Sequence, residues 1–252
     1  MASLITPIRT LGAAALMLVV GSGCAIMRST SEMLNVLAQQ DSHSQHPSEW
    51  NEWADAHLQN GDIVFMRGDC YMLLGTVNFS ELSTDLTDSR FSHIGLVAIE
   101  DGQAYVYDIR TSGCLRTRFG ELLAHHQLHQ VAIKRHREAS PESLAQAAAY
   151  CRAVFQRHEK YDDQLKLDNA RLYCTELVQN AYQQAGFRLS EPIAIQDLPN
   201  YDRHLNAIQF VRAVTTIEPD QPVLLPGNER FGIWACEQLD LILDLPDTKV
   251  RP

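Results

Sequence analysis

The chain lacks any clustering of Lys and Arg: 21 basic residues stand against 31 acidic ones, for a formal net charge of −10. An acidic chain without a basic patch is a poor binder of nucleic acid or of anionic lipid surfaces, so neither is expected as a partner. Its apolar runs are short; LGAAALMLVV near the start is about half the roughly 20 residues that a transmembrane helix needs. There is no HExxH motif, which removes the usual helical zinc-peptidase reading, and no internal repeat or low-complexity tract. What remains is a chain of 252 residues with 45% hydrophobic content, enough for one large domain or two small ones with a real core.

Near the start, Arg9, the apolar run and GSGC follow the order of an exported leader. A small-residue site ending in Cys resembles the lipobox of bacterial lipoproteins, which implies Cys24 as the lipidated first residue of the mature chain. Gly21 stands where that motif usually carries Leu, and an ordinary secretory signal is the alternative. Ala25 is not the Asp that resembles an inner-membrane retention signal, so the expected location is the outer membrane, facing the periplasm. This divides the chain into a signal over 1–23, a lipidated N-terminus and polar tether over 24–48, and a catalytic domain over 49–252. Only the acyl anchor is expected to hold it to a membrane. Of the six cysteines, five remain if Cys24 is acylated, and an odd number leaves at least one thiol free in an oxidising compartment.

Along the domain, NGDIVFM reads as a turn and a first strand near Asp62, and SHIGLVAIEDGQAYVYDI as two strands joined at Asp101-Gly102. FGELLAHHQLH reads as a short helical segment before a strand at QVAIKRH. Ser140-Pro141 is an N-cap with Pro at the first helical position, and Leu144, Ala147, Ala148, Cys151, Val154 and Phe155 follow at helical spacing. That spacing makes Cys151 a core residue. A second helix is expected over roughly 172–185, capped by Gly186, with Cys174, Leu177, Val178, Ala181, Tyr182 and Ala185 as its buried stripe. The segments LSEPIAIQDLPNYD and PVLLPGNERFG read as surface loops around minor elements.

Cys174 heads its stripe at a helix N-terminus, where partial positive charge favours a thiolate; a buried structural cysteine is the bland alternative. His93 is expected on a strand with Phe91, Gly95, Val97 and Ile99 on the same face, and Gly95 leaves a gap there for a thiol or substrate. A neutral core histidine is the bland alternative for His93. If Asp101-Gly102 is a two-residue turn, Glu100 pairs with Gln103, and counting back sets Gly95 opposite Asp108 and His93 opposite Arg110. Asp108 is then a diagonal neighbour of His93 on its own face, able to orient the imidazole as the acid of a Cys-His-acid triad. Glu176 competes for that role, but two helical residues rotate it about 200° from Cys174, toward neighbouring backbone or solvent.

NGDIVF, FSHIGLV and YDDQLKLDNARLYCTELVQNAY resemble the permuted papain-like amidases of the YaeF/YiiX type, relatives of the NlpC-type cell-wall peptidases. The likeness runs from about Asn60 to Gly186, and the histidine strand precedes the cysteine helix, which is the permuted order. It implies an α+β fold, an antiparallel sheet packed against helices. Cys174 is implied as nucleophile, His93 as base, and Asp108 is carried over as the polar third residue. The expected function is a cysteine peptidase or amidase with a thioester acyl-enzyme, acting on an amide or peptide bond in the cell envelope, with peptidoglycan peptide as the first substrate to test. That chemistry needs no cofactor and no metal. Three rivals stand beside it: an acyltransferase or lipid esterase on the same fold, although YCTEL departs from the NCEHF-like motif of those relatives; a non-catalytic envelope lipoprotein; and a metal site at His125 and His129, four apart in HHQLH.

Overall fold

The computed structural model describes residues 47–72, 77–125, 128–167, 170–214 and 216–245. The signal, the lipidation at Cys24 and most of the tether therefore lie outside the described residues. Helix α1 (Pro47–His57) leads into strand β1 (Ile63–Gly68), a short pair β2 (Tyr71–Met72) and β3 (Val77–Asn78), and helix α2 (Phe79–Thr87). Strands β4 (His93–Glu100), β5 (Gln103–Arg110) and β6 (Gly113–Arg118) form a meander, followed by α3 (Phe119–Leu123) and β7 (Leu128–His136). Helices α4 (Pro141–Gln156) and α5 (Cys174–Gln184) come next, then β8 (Ile193–Ala194), α6 (Leu205–Val214), β9 (Pro222–Val223) and β10 (Leu239–Leu245).

Six strands form one antiparallel sheet in the order β10-β7-β1-β4-β5-β6. Side-chain alternation divides it into two apolar faces. Ile63, Phe65, Ile94, Leu96, Ala98, Tyr107 and Ile109 pack under α4 and α5, while Val64, Met66, Val97, Ala104 and Val106 pack under α1 and α3. Side chains such as Phe65, Tyr107 and Tyr182 are fully buried, each worth roughly 1.5–3 kcal/mol of apolar transfer. The expected α+β class, an antiparallel sheet against helices, is the fold observed.

Local chemistry accounts for the elements nearest the site. Asp101 and Gly102 both have positive φ, 49° and 77°, as a two-residue hairpin turn of the I′ type requires, and Glu100 pairs with Gln103. Ser140 accepts the Ser143 N–H at 3.2 Å as the N-cap of α4, with Pro141 at its first position. Leu144, Ala147, Ala148, Cys151 and Val154 are all buried, as their spacing predicts. Gly186 follows α5 with φ 87°, and Phe187 N–H reaches back to Tyr182 O at 2.9 Å.

Two expectations are corrected here. The helix at FGELL ends at Leu123; His125 follows it, and His129 belongs to β7, with Nε2 3.0 Å from Asp69 Oδ2. The two imidazoles therefore do not share a helical face. Glu176 is only 4% exposed, because α5 is enclosed by α4 and the sheet and by the Tyr173 side, so no face of its first turn meets solvent. Its charge is felt at Tyr150 of α4 and at Tyr173.

Candidate active site

The site forms where two strands part. Val97 N–H donates to Asp62 O on the β1 side, so alternation directs the Ile94 N–H toward β5. The β4–β5 ladder runs from Glu100↔Gln103 to Leu96↔Tyr107 and stops there. Ile94 N–H is thus released from the sheet, and it bonds instead to the Cys174 thiol. The N-terminus of α5 abuts this opening.

Several contacts deliver Cys174 to that point. In the loop before it, Asp162 is buried and its carboxylate accepts the N–H groups of Gln164 at 3.0 Å and Lys166 at 2.8 Å, closing a tight turn. Asp162 N–H donates to Leu172 O at 2.8 Å, next to a bridge between Tyr161 and Leu172. Tyr173, the residue before the helix, accepts the Leu224 N–H on its hydroxyl at 2.8 Å, which ties the helix start to the C-terminal segment. Tyr173 makes no side-chain cap bond, so the first N–H groups of α5 are not satisfied by a capping side chain.

His93 opens β4. Its Nε2 lies 2.7 Å from Asp108 Oδ2, which leaves Nδ1 for the sulfur, and the Cys174 thiol is hydrogen-bonded to this imidazole. The His93 side chain is 23% exposed and that of Asp108 is 0% exposed, so the imidazole is the part of the constellation that meets solvent. Arg110 Nε donates to the same Asp108 Oδ2, and Oδ1 is buried without a hydrogen-bond partner. The preceding Ser92 is held by its hydroxyl to Ser80 of α2.

These contacts set the charges. Burial acts to lower the His93 pKa, but the charge of Cys174 and the bonds to Asp108 and to the thiol push it up to about 9. Burial acts to raise the Cys174 pKa, and the charge and hydrogen bond of His93, with Ile94 N–H and the Thr175 hydroxyl, bring the thiol below its ordinary value. Asp108 is likewise held below the usual carboxylate range, against its burial, by the His93 bond and the Arg110 charge. Both shifts of the Cys174–His93 pair point to thiolate beside imidazolium.

The structure thus brings together Cys174, His93 and Asp108. Counting along the ladder reaches Asp108 correctly, since Leu96↔Tyr107 fixes the parity. The gap expected at Gly95 is not open to a thiol or substrate: a Cβ there would lie 2.8 Å from Tyr107 O and 3.1 Å from Asp108 Cβ, so β5 occupies it. Glycine is needed because it lets the backbone carrying Asp108 come close to β4. Ile94 N–H, Arg110 and the Asp162 turn are contributors without an expected role. Asp162 had a signal, as an Asx-turn residue in YDDQ, and Arg110 was placed by the register opposite His93, though with no role attached. Cavities of about 330 Å³ around Arg90, Phe91 and Trp234 and about 570 Å³ around Asp197, Arg203 and Phe231 are lined by none of the three site residues. Among the described residues, no group of three or more His, Cys, Asp or Glu side chains is arranged to hold a metal ion.

A cysteine at the head of a helix, packed on an antiparallel sheet that carries a histidine, defines a papain-like fold, and here the histidine strand comes first in the chain. Residues 57–217 match the family described as permuted papain-like amidase enzyme, YaeF/YiiX, C92, and the chain belongs to that family. Among solved structures, the crystal structure of YiiX from Escherichia coli O157:H7, described as a metalloprotein, is similar at TM-score 0.61 and 21% identity, covering 75% of this chain and 98% of that one. No curated protein matches the chain in sequence.

Proposed function

We propose that this protein is a cysteine amidase or peptidase of the cell envelope, with Cys174 as nucleophile, His93 as general acid and base, and Asp108 as the carboxylate that orients the imidazole. The observation that carries the reading is the imidazole held between the Asp108 carboxylate, 2.7 Å from its Nε2, and the Cys174 thiol. The family's amidase description supports hydrolysis of an amide bond.

In this reaction the Cys174 thiolate attacks the amide carbonyl carbon, and the carbonyl π electrons move onto oxygen. Backbone N–H groups at the start of α5, including that of Cys174, face the developing oxyanion. Collapse of the adduct breaks the C–N bond; the leaving amine takes the proton from His93 and a thioester remains on Cys174. Neutral His93 then removes a proton from water as it adds to the thioester, and release of the acid restores thiolate and imidazolium. Asp108 stays ionised throughout and keeps Nε2 as the donor to itself, so that Nδ1 exchanges the proton with sulfur, amine and water.

The substrate class is a peptide or amide, with peptidoglycan peptide the first to test, and the chain is anchored through Cys24 in the outer membrane, facing the periplasm. An electrophilic thiol probe at neutral pH tests the nucleophile: the adduct is expected at Cys174 and lost in His93→Ala, whereas equal labelling of several cysteines counts against the assignment. Metabolic labelling with an alkynyl fatty acid tests the anchor. Incorporation that survives Cys24→Ala excludes lipidation at that residue.

A further inference from the structure

Asp108 carries two cations on one oxygen: His93 Nε2 and Arg110 Nε both bond Oδ2, while Oδ1 is buried with no hydrogen bond. A triad carboxylate needs only its histidine, and a second, permanently charged partner competes for the same lone pairs. Arg110 is on β5 two residues beyond Asp108, past the end of the β4–β5 ladder, where the register sets it opposite His93. Its side chain is 31% exposed, and it bridges the fully buried carboxylate to the protein surface.

Building on the reading of Cys174, His93 and Asp108 as the reacting groups, we propose that Arg110 is a positioning residue that offsets part of the Asp108 charge so that His93 can release its proton during turnover. The need follows from the catalytic cycle. Once Cys174 is a thioester, its negative charge is gone and Asp108 is the anion left in contact with the imidazole. A buried, otherwise uncompensated carboxylate would hold the imidazolium proton tightly, and the water attack requires neutral His93. Arg110 opposes this in two ways of the same sign: it neutralises Asp108, and its own charge repels the imidazolium. It also keeps Asp108 ionised when His93 is neutral, when the carboxylate would otherwise be buried without a cation.

Among the described residues, the other ionisable groups linked electrostatically to this constellation are Cys174 of α5; Tyr161, whose phenol feels the charges of Cys174 and Cys70; and Cys114 of β6, whose thiol burial and the Asp108 charge push up to about 12. On the β1 side the residue opposite His93 is Met66, which does not titrate. None of these supplies a permanent positive charge to Asp108, so Arg110 is the group whose removal changes the balance.

The test needs no substrate. The full chain is alkylated at Cys174 with iodoacetamide, which mimics the uncharged sulfur of the thioester. The ring signals of His93, assigned by their loss in His93→Gln, are then followed against pH by NMR. Arg110→Gln is expected to move the His93 titration upward by roughly one pH unit, the usual effect of a neighbouring charge, while Arg110→Lys leaves it close to that of the unsubstituted protein. If Arg110→Gln does not fold, Arg110→Met keeps the aliphatic stem and tests the same charge. An unchanged titration in the neutral variants overturns the proposal, as does a downward shift, which would mean that Asp108 takes up the proton instead. An equal shift in Arg110→Lys would show that the guanidinium acts by shape and also overturns it. A His93 titration that is the same before and after alkylation would instead refute the Cys174–His93 pair itself, so the two failures are distinguishable.

Discussion

Helices α4 and α5 lie side by side on one face of the sheet, and each carries a cysteine in its buried stripe. Cys151 sits in the interior of α4, 0% exposed, and burial together with the nearby Cys114 drives its thiol pKa far up against a pull from Arg152. Cys174 is 7% exposed, yet its pKa moves down, because an imidazole and a backbone N–H meet the sulfur. Burial alone therefore does not distinguish a packed cysteine from one whose thiol is acidified. What differs is position. The head of a helix brings N–H groups that no capping side chain satisfies and faces the opening between two strands, whereas mid-helix Cys151 is packed in the core with no imidazole at its sulfur.

The strongest way to break this comparison is to remove each thiol. Cys174→Ala is expected to lower amide hydrolysis on the order of 10⁴-fold, as loss of a covalent nucleophile does, while Cys151→Ala leaves kcat within about threefold. Steady-state turnover of a peptidoglycan peptide reads both; similar losses from the two variants would erase the distinction. His93→Ala should next lower the rate of Cys174 alkylation at pH 7 by about 100-fold, making it resemble the other buried thiols.

The pH profile sharpens the same contrast. The thiolate–imidazolium pair of the proposed mechanism exists above the lowered pKa of Cys174 and below the His93 pKa of about 9. Turnover should accordingly hold through neutral pH and fall on both sides, as the thiolate takes up a proton at low pH and as His93 loses its proton above about 9. A profile rising steadily toward the pKa of a free thiol would contradict the pair. Gly95→Ala tests the strand approach: a Cβ 2.8 Å from Tyr107 O must push β5 and Asp108 away, so kcat/KM should drop about tenfold or more, with a stability loss of about 2 kcal/mol by denaturant titration. The smallest effect is expected from Cys151→Ser, which buries a hydroxyl among apolar side chains. It should cost about 2 kcal/mol of stability and leave the pH profile in place.

Much of this arrangement was legible in the residues because it depends on neighbours along the chain. The parity of the Asp101-Gly102 turn decided the face of Asp108, and Ser140-Pro141 and Gly186 marked helix ends through backbone geometry that few residues can adopt. The histidine-before-cysteine order is likewise a property of the chain alone. For Glu176 only the exposure to solvent was misjudged, because helical rotation tells which way a side chain points but not what lies there. Gly95 was misjudged for a related reason: a missing Cβ signals a close approach without naming the partner. Helices α1 and α2 and strands β6 and β10 were not anticipated; in α1, Ala54 is the only buried residue, so its apolar signal is weak.

By itself, then, the sequence determined the periods, turns and caps that make each element, and which reactive side chains stand at element ends, since those depend on dihedral preferences over a few residues. Tertiary structure alone decided that the β4–β5 ladder stops at Leu96, freeing Ile94 N–H for the sulfur, and that Arg110 shares the Asp108 oxygen with His93. Such contacts arise from how twisted strands and helices meet across long chain separations, where sterics and electrostatics of the packed whole, rather than local preference, choose the partner.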